Sequence, residues 1–155
     1  MGTWRVVVLL LAVLAVASSS MACAVSDDSR DDRSRAVVTR VVDGDTVVIE
    51  SGEHVRLIGV DTPEHGACGF GAATARLRRM VEGRAVVLVN PASVQDVDTY
   101  GRLLRYVDVG GTDTGLAQIR AGARARYDSH DGYDPHPRED EYHRAEIDQN
   151  AICAR

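Results

Sequence analysis

Three short β-favouring runs, one amphipathic stretch and two further β-favouring runs follow each other in strict order between residues 37 and 109. The first three are Val37–Val42, Thr46–Glu50 and Val55–Val60. Asp43-Gly44 separates the first pair and Ser51-Gly52 the second, and both dipeptides are two-residue hairpin signals. Ala72–Glu82 reads as a helix, with Ala73, Leu77, Met80 and Val81 near one face and Gly83 in the position where Gly stops helices. Ala85–Asn90 and Leu103–Val109 are the last two strands, joined by the polar loop 91–102. Thr114–Ala121 is a short helix closed by Gly122. Arg138–Ile152 is a final helix whose first turn carries acidic residues, which suits the helix dipole.

That order narrows the architecture to few solutions. Strands this short cannot build a large open sheet, and aromatic residues are only 5% of the chain, so the core must be aliphatic. The expectation is an α+β domain: a five-stranded OB-fold β-barrel with a helix between strands 3 and 4 and C-terminal helices. A chain of 155 residues holds one such domain.

Both ends of the chain carry other signals. Met1–Ala24 has Arg5, then the apolar run Val6–Ala17, then small residues, the pattern of an export signal rather than a bilayer span. Two processing routes remain open. Ala22-Cys23-Ala24 fits a cleavage site that discards Cys23, and Ser20-Met21-Ala22 before Cys23 is an imperfect lipobox that would make Cys23 a lipidated membrane tether. The product is expected to be secreted or anchored to the cell envelope. Residues 25–36 are polar and aperiodic and read as a flexible tether, leaving 37–155 as the folded domain. In an oxidising compartment Cys68 and Cys153 are expected to pair. The chain is expected to be monomeric.

Charge excludes one class of function. The net charge is −5, and all 18 basic residues are Arg. An acidic chain without a basic block is a poor non-specific binder of nucleic acid, because such affinity comes from many cation–phosphate contacts. A phosphate would have to be handled locally, by a few placed Arg residues or a metal.

The chemistry-bearing residues sit at strand ends. A two-residue turn at Ser51-Gly52 would pair residues summing to 103, so Asp45 would face Ile58, Val47 would face Arg56, and Asp45 and Arg56 would share one face of the sheet. Asp61 would lie at the same end of that hairpin. Carboxylates held close together repel unless a cation lies between them, and an all-oxygen donor set points to a hard ion such as Ca²⁺ or Mg²⁺. Guanidinium forks match phosphate oxygens, and a further carboxylate can activate water. Together these are parts for phosphodiester hydrolysis. Asp43 alone reads as an ordinary turn residue. Residues 128–136 lack the spacing of a metal loop and read as a solvated loop beside the cleft.

Asp43-Gly44-Asp45-Thr46, then Arg56-Leu57-Ile58-Gly59-Val60-Asp61-Thr62-Pro63-Glu64, then Tyr100-Gly101-Arg102-Leu103-Leu104-Arg105-Tyr106-Val107 resemble the three signature blocks of the staphylococcal nuclease (thermonuclease) family, over residues 37–125. The resemblance implies an OB-fold, Ca²⁺-dependent nuclease that cleaves DNA and RNA and leaves 3′-phosphate ends. It implies Asp45, Asp61 and the Thr62 carbonyl as Ca²⁺ ligands, Glu64 as candidate general base, and Arg56 and Arg102 as phosphate-binding catalytic residues. Thr99 stands where the family carries a Lys in its nucleotide-binding loop, and Tyr127 is a loose match to its nucleotide-flanking tyrosines. The competing expectations are a non-catalytic OB-fold module that binds nucleic acid or a surface partner, and a calcium-stabilised structural lipoprotein.

Overall fold

The structure is a computed structural model that describes residues 32–146. Its strands are β1 (Asp32–Val41), β2 (Thr46–Ile49), β3 (His54–Leu57), β4 (Val60–Asp61), β5 (Ala85–Asn90), β6 (Leu103–Val109), β7 (Thr112–Asp113) and β8 (Arg124–Ala125). Its α-helices are α1 (Phe70–Val81), α2 (Thr114–Ile119) and α3 (Glu139–Ala145). Five strands close a barrel in the order β3-β2-β1-β5-β6, and β6 returns to β3 in parallel through Val55↔Leu103, Arg56↔Leu104 and Leu57↔Arg105. The other barrel pairings are antiparallel. This is the expected OB-fold with α1 between the third and fourth barrel strands.

β1 serves two neighbours. Asp32–Val37 pairs with β5, Val38–Val41 pairs with β2, and the register shifts between Val38 and Arg40 where the strand bends from one sheet to the other. It begins five residues before the boundary expected from composition, so 32–36 belong to the barrel rather than to a tether. The ladder there is carried by backbone groups against Asn90–Ala85, and side chains 32–35 are exposed. A strand that overhangs the core has no need of apolar residues, which is why its sequence reads as linker.

Both hairpin turns are one residue longer than expected. Val41 pairs with Val47, leaving a 43–45 bend in which the Asp45 amide donates to Asp43 Oδ1 at 3.0 Å. At the second turn the Ile49 amide donates to the Glu53 carbonyl and Gly52 takes φ +89°, the left-handed residue of a three-residue loop. The β2–β3 register therefore sums to 102, with Thr46 opposite Arg56.

The expected third strand, 55–60, is broken at Ile58-Gly59. Gly59 adopts φ +71°, and a Cβ there would collide with the His136 ring. Only glycine fits. Beyond the break, β4 leaves the barrel to pair with β8 through Val60↔Ala125 and Asp61↔Arg124.

Val38, Val47, Val55, Leu57, Val86, Val107 and Ile119 fill the barrel, and α1 seals it with Leu77 and Val81. Truncating a fully buried residue such as Leu77 to Ala costs about 2–5 kcal/mol. α1 starts at Phe70, two residues before the expectation, because Gly69 at φ +90° turns the chain into it. α3 stops at Ala145, with Glu146 already extended. Among the described residues no helix is long and apolar enough to cross a membrane. The expected export signal, Cys23 and Cys153 lie outside the described residues, and with Cys153 so does the expected Cys68–Cys153 pairing.

Candidate active site

One cleft of about 920 Å³ opens at the end of the barrel where the 43–45 bend, the β3 exit and the 91–102 loop meet. Asp45, Arg56, Thr62, Glu64 and Arg102 all line it. Asp61 is the remaining expected site residue and is not on that lining. It sits in β4 opposite Arg124, half-buried, in the electric field of Arg56, Asp45 and Glu64.

Asp45 is the hub. Its Oδ2 accepts from the Thr62 amide at 3.0 Å and from the Thr62 hydroxyl at 2.7 Å. Its Oδ1 accepts from the Thr46 hydroxyl at 3.1 Å and lies 3.3 Å from Arg56 Nε. Asp45 and Arg56 thus meet, but not by the expected register. Asp45 precedes the first residue of β2, so strand alternation does not govern it. Arg56 is itself buried, and its Nη1 donates to the Leu57 carbonyl at 2.8 Å.

Arg102 is delivered differently. In the tight 98–102 turn Asp98 Oδ1 accepts the amides of Tyr100 and Arg102, each at 2.9 Å, and Oδ2 accepts from Arg102 Nε at 2.7 Å. Burial pushes the Asp98 carboxyl up, but the bonds from Arg102 and Tyr100 and the Arg102 charge outweigh it and hold it below its ordinary value. The parallel β3–β6 pairing brings the two cations to one end of the barrel, since Arg56 is level with Leu104, two residues past Arg102. Arg105 anchors the loop from behind, with Nη2 at 2.5 Å from Asp96 Oδ1.

The carboxylates are under strain of charge. Burial raises the Asp43 carboxyl above its ordinary value, and the Asp45 charge adds to it. Burial also raises Asp61, with Asp45 and Glu64 adding and Arg56 and Arg124 opposing. An excess of buried negative charge held by oxygen donors fits a hard divalent ion. Among the described residues no three Asp, Glu, His or Cys side chains form a ready metal cage.

Several contributors were not evident from sequence. Asp43 lines the cleft as well as capping the turn. Gln118 on α2 is fully buried, and its amide Nε2 donates to the Gly44 carbonyl at 2.5 Å and the Ala73 carbonyl at 2.9 Å, while Oε1 accepts from Arg76 at 3.2 Å. It ties the carboxylate-bearing bend to both helices. A Cβ on Gly44 would lie 2.6 Å from the Thr62 hydroxyl and 2.7 Å from Ala73 Cβ. The signal for Gln118 was an amide on a helix face otherwise made of apolar and small residues.

Tyr127 is the one described non-glycine residue with positive φ, 62°. That conformation costs about 1–3 kcal/mol and persists where surrounding contacts over-determine it. Here the Tyr127 amide donates to Asp131 Oδ2 at 2.8 Å, and the ring lies 5.2 Å from the Arg56 guanidinium. The 128–136 loop lies beside the cleft as expected and its residues 129–135 are exposed, but it is pinned at both ends. Asp128 is fully buried, accepting from the His130 amide at 2.9 Å and standing 2.8 Å from His143 Nε2, and the His136 ring is packed against Tyr106 and Tyr142.

The family model of the staphylococcal nuclease homologues matches residues 54–151, more than half of the chain. The chain belongs to that family. A thermonuclease from Staphylococcus intermedius is 35% identical over 101 residues, which is 59% of this chain and 59% of that protein. The chain thus spans about three fifths of the length of that curated relative. The family match contains Arg56, Asp61, Thr62, Glu64 and Arg102 but starts after the Asp43–Asp45 bend. In this family member the bend is brought to the matched residues by Gln118 and Thr62, through contacts the structure supplies directly.

Proposed function

We propose that this protein is an exported, Ca²⁺-dependent nuclease that hydrolyses phosphodiester bonds of DNA and/or RNA and leaves 3′-phosphate ends. The observation that carries the reading is the meeting of Asp45, Thr62, Glu64, Arg56 and Arg102 on one cleft. The family membership supports it. Asp45, Asp61 and the Thr62 carbonyl would hold the ion. When bound, a hard divalent ion neutralises phosphate charge and draws electron density from phosphorus.

The remaining work belongs to the chain. Arg56 and Arg102 bind the scissile phosphate and stabilise the charge that grows on its oxygens during attack. Asp45 and Asp98 each meet their arginine at Nε, which leaves other N–H groups of each guanidinium for the phosphate. Glu64, exposed on the cleft wall, accepts the proton of an attacking water. The water oxygen bonds to phosphorus, the bond to the 5′ oxygen breaks, and that oxygen takes up a proton from solvent. The Asp45–Thr62 and Asp98–Arg102 bonds keep the participants in place before substrate arrives, so little reorganisation is left to the reaction.

The proposal extends to the rest of the chain. Residues 1–24 direct export, Cys23 is either removed or lipidated, Cys68 pairs with Cys153, and the mature protein acts as a monomer. Incubating the mature chain with single-stranded and duplex DNA and RNA, in calcium or in a calcium chelator, tests the activity. Cleavage in calcium alone, products that accept label at the 5′ hydroxyl without phosphatase treatment, and a silent Asp45→Ala variant are expected. Equal cleavage in chelator removes the ion from the account, and no cleavage under any condition removes the nuclease.

A further inference from the structure

We infer that the cationic ridge of α1, Arg76 and Arg79, is a second polyanion site, which holds the length of a polynucleotide strand that extends out of the cleft. The inference rests on the nuclease reading and concerns a part of the substrate that the cleft does not touch.

The net charge of −5 conceals a segregation. Residues 70–84 hold four Arg and one acidic residue, Glu82, whereas residues 127–146 hold seven acidic residues against Arg138 and Arg144. The first group is α1 and the turn after it, and the second is the loop that leads into α3 and α3 itself. α1 packs against α2 and β1, and α3 against α2 and β8, so α2 is shared between a cationic neighbour and an anionic one. An acidic molecule can thus present one cationic face to a polyanion.

On that face Arg76 and Arg79 stand about one turn apart. Residues three apart are neighbours on a helix, and like charges there cost stability. Burial and the Arg79 charge both hold the Arg76 guanidinium below its ordinary value. Arg78 pairs with Glu82 at 3.2 Å, but Arg79 is exposed and makes no ion pair among the described residues. The negative end of the helix dipole offsets part of the repulsion. A phosphate group would offset the rest, since guanidinium forks match its oxygens.

The ridge is continuous with the cleft. α1 begins at Phe70, on the cleft wall. Arg76 Nη1 donates to Gln118 Oε1 at 3.2 Å, and Gln118 Nε2 donates to the Gly44 carbonyl at 2.5 Å, between the cleft residues Asp43 and Asp45. At about 1.5 Å per residue, Arg79 lies about 13.5 Å along the helix axis from Phe70. A stacked strand advances about 3.4 Å per nucleotide, so a strand about four nucleotides longer than the cleft holds reaches Arg79.

The test pairs two measurements. The first is fluorescence anisotropy of a labelled 16-nucleotide DNA strand in a calcium chelator, across a salt series. The second is cleavage kinetics in calcium on that strand and on a trinucleotide. In anisotropy, Arg79→Gln is expected to weaken binding about 2- to 5-fold, the worth of one exposed ion pair. The slope of log affinity against log salt should become shallower by about 0.7, one single-strand phosphate contact. Arg79→Glu is expected to weaken binding further, Arg79→Lys to keep the parent slope, and Arg144→Gln, on the anionic side, to change neither reading. In kinetics, Arg79→Gln is expected to raise KM for the long strand by the same factor, with its kcat and both constants for the trinucleotide unchanged. A merely structural role for Arg79 would move both substrates alike. Parent-like affinity and slope in both Arg79→Gln and Arg79→Glu, or an equal rise in KM on the trinucleotide, overturns the inference. The expected loss of affinity on a strand that is never cut leaves it standing and overturns the nuclease. Cleavage by variants whose affinity and slope match the parent's overturns it and leaves the nuclease.

Discussion

Two of the molecule's arginine–carboxylate groups, one beside α3 and one in the cleft, are built differently. At the C-terminal end Arg138 makes a two-pronged contact with Asp108 at 2.8 and 2.9 Å, reaches Asp113 at 2.8 Å and lies 4.0 Å from the centre of the Tyr106 ring. Tyr142 donates to both oxygens of Asp113 and is fully buried. Burial alone would lower the Arg138 guanidinium, but the Asp108 bonds and the Asp113 and Asp108 charges carry it well above its ordinary value. In the cleft, Arg56 has a single 3.3 Å approach to Asp45, and Asp43 and Asp61 are left raised by burial and by their neighbours. The Arg138 network is complete and fastens α3 to the barrel. In the cleft the raised carboxylates are only partly offset by Arg56, which is what the proposed binding of an ion would draw on.

Function should therefore fail at one place and stability at the other. The largest expected effect is on turnover. Arg102→Ala should lower the single-stranded DNA cleavage rate by two to three orders of magnitude, the cost of one preorganised charge donor, with little change in melting temperature. Kinetics and calorimetry on the same sample check it. The opposite case is Arg138→Ala, which leaves Asp108 and Asp113 facing each other. It should cost about 2–4 kcal/mol of stability by denaturant titration, while activity of the folded fraction stays within a few-fold.

Gln118→Leu blurs the comparison on purpose. It leaves the Gly44 and Ala73 carbonyls without a donor, at a cost of about 1–3 kcal/mol, and it also loosens the bend that carries Asp45. Both stability and calcium affinity should fall, whereas Arg138→Ala should change stability alone. A calcium titration at a temperature where the variant is folded separates the two.

The smallest effect is on pH dependence. Burial holds the His136 imidazole below its ordinary value, with Glu139 and Asp128 opposing and His143 and Arg138 assisting. The unfolded chain then binds a proton near pH 6.5 that the folded chain refuses. Stability should be full above pH 6.5 and fall as the pH drops below it. Asp98 and Glu139, both held below the ordinary carboxylate value despite their burial, add a second fall at the acid end, below about pH 4. In His136→Gln the first fall should vanish and the second remain.

The barrel was legible because its cues are local. Runs rich in Val and Leu, bounded by Gly83 and by the polar 91–102 loop, marked β5 and β6 to the residue. Register was less legible, since Asp43-Gly44 and Ser51-Gly52 fit turns of two or three residues, and the count is set by the bend geometry and by Gly52. The beginning of β1 was hidden because its exposed polar side chains carry no apolar alternation. At the site, the signature blocks carried Asp45, Arg56, Thr62, Glu64 and Arg102 to one cleft. Gln118 was harder to read, because its contact lies 74 residues away and its one local signal was an amide on an otherwise apolar and small helix face.

The most direct test of the central difference is calcium binding by isothermal titration calorimetry to the parent, Asp45→Ala and Arg138→Ala proteins. The account predicts one saturable calcium site in the parent, its loss in Asp45→Ala and its retention in folded Arg138→Ala. No calcium heat in the parent, or the same heat in Asp45→Ala, would contradict it.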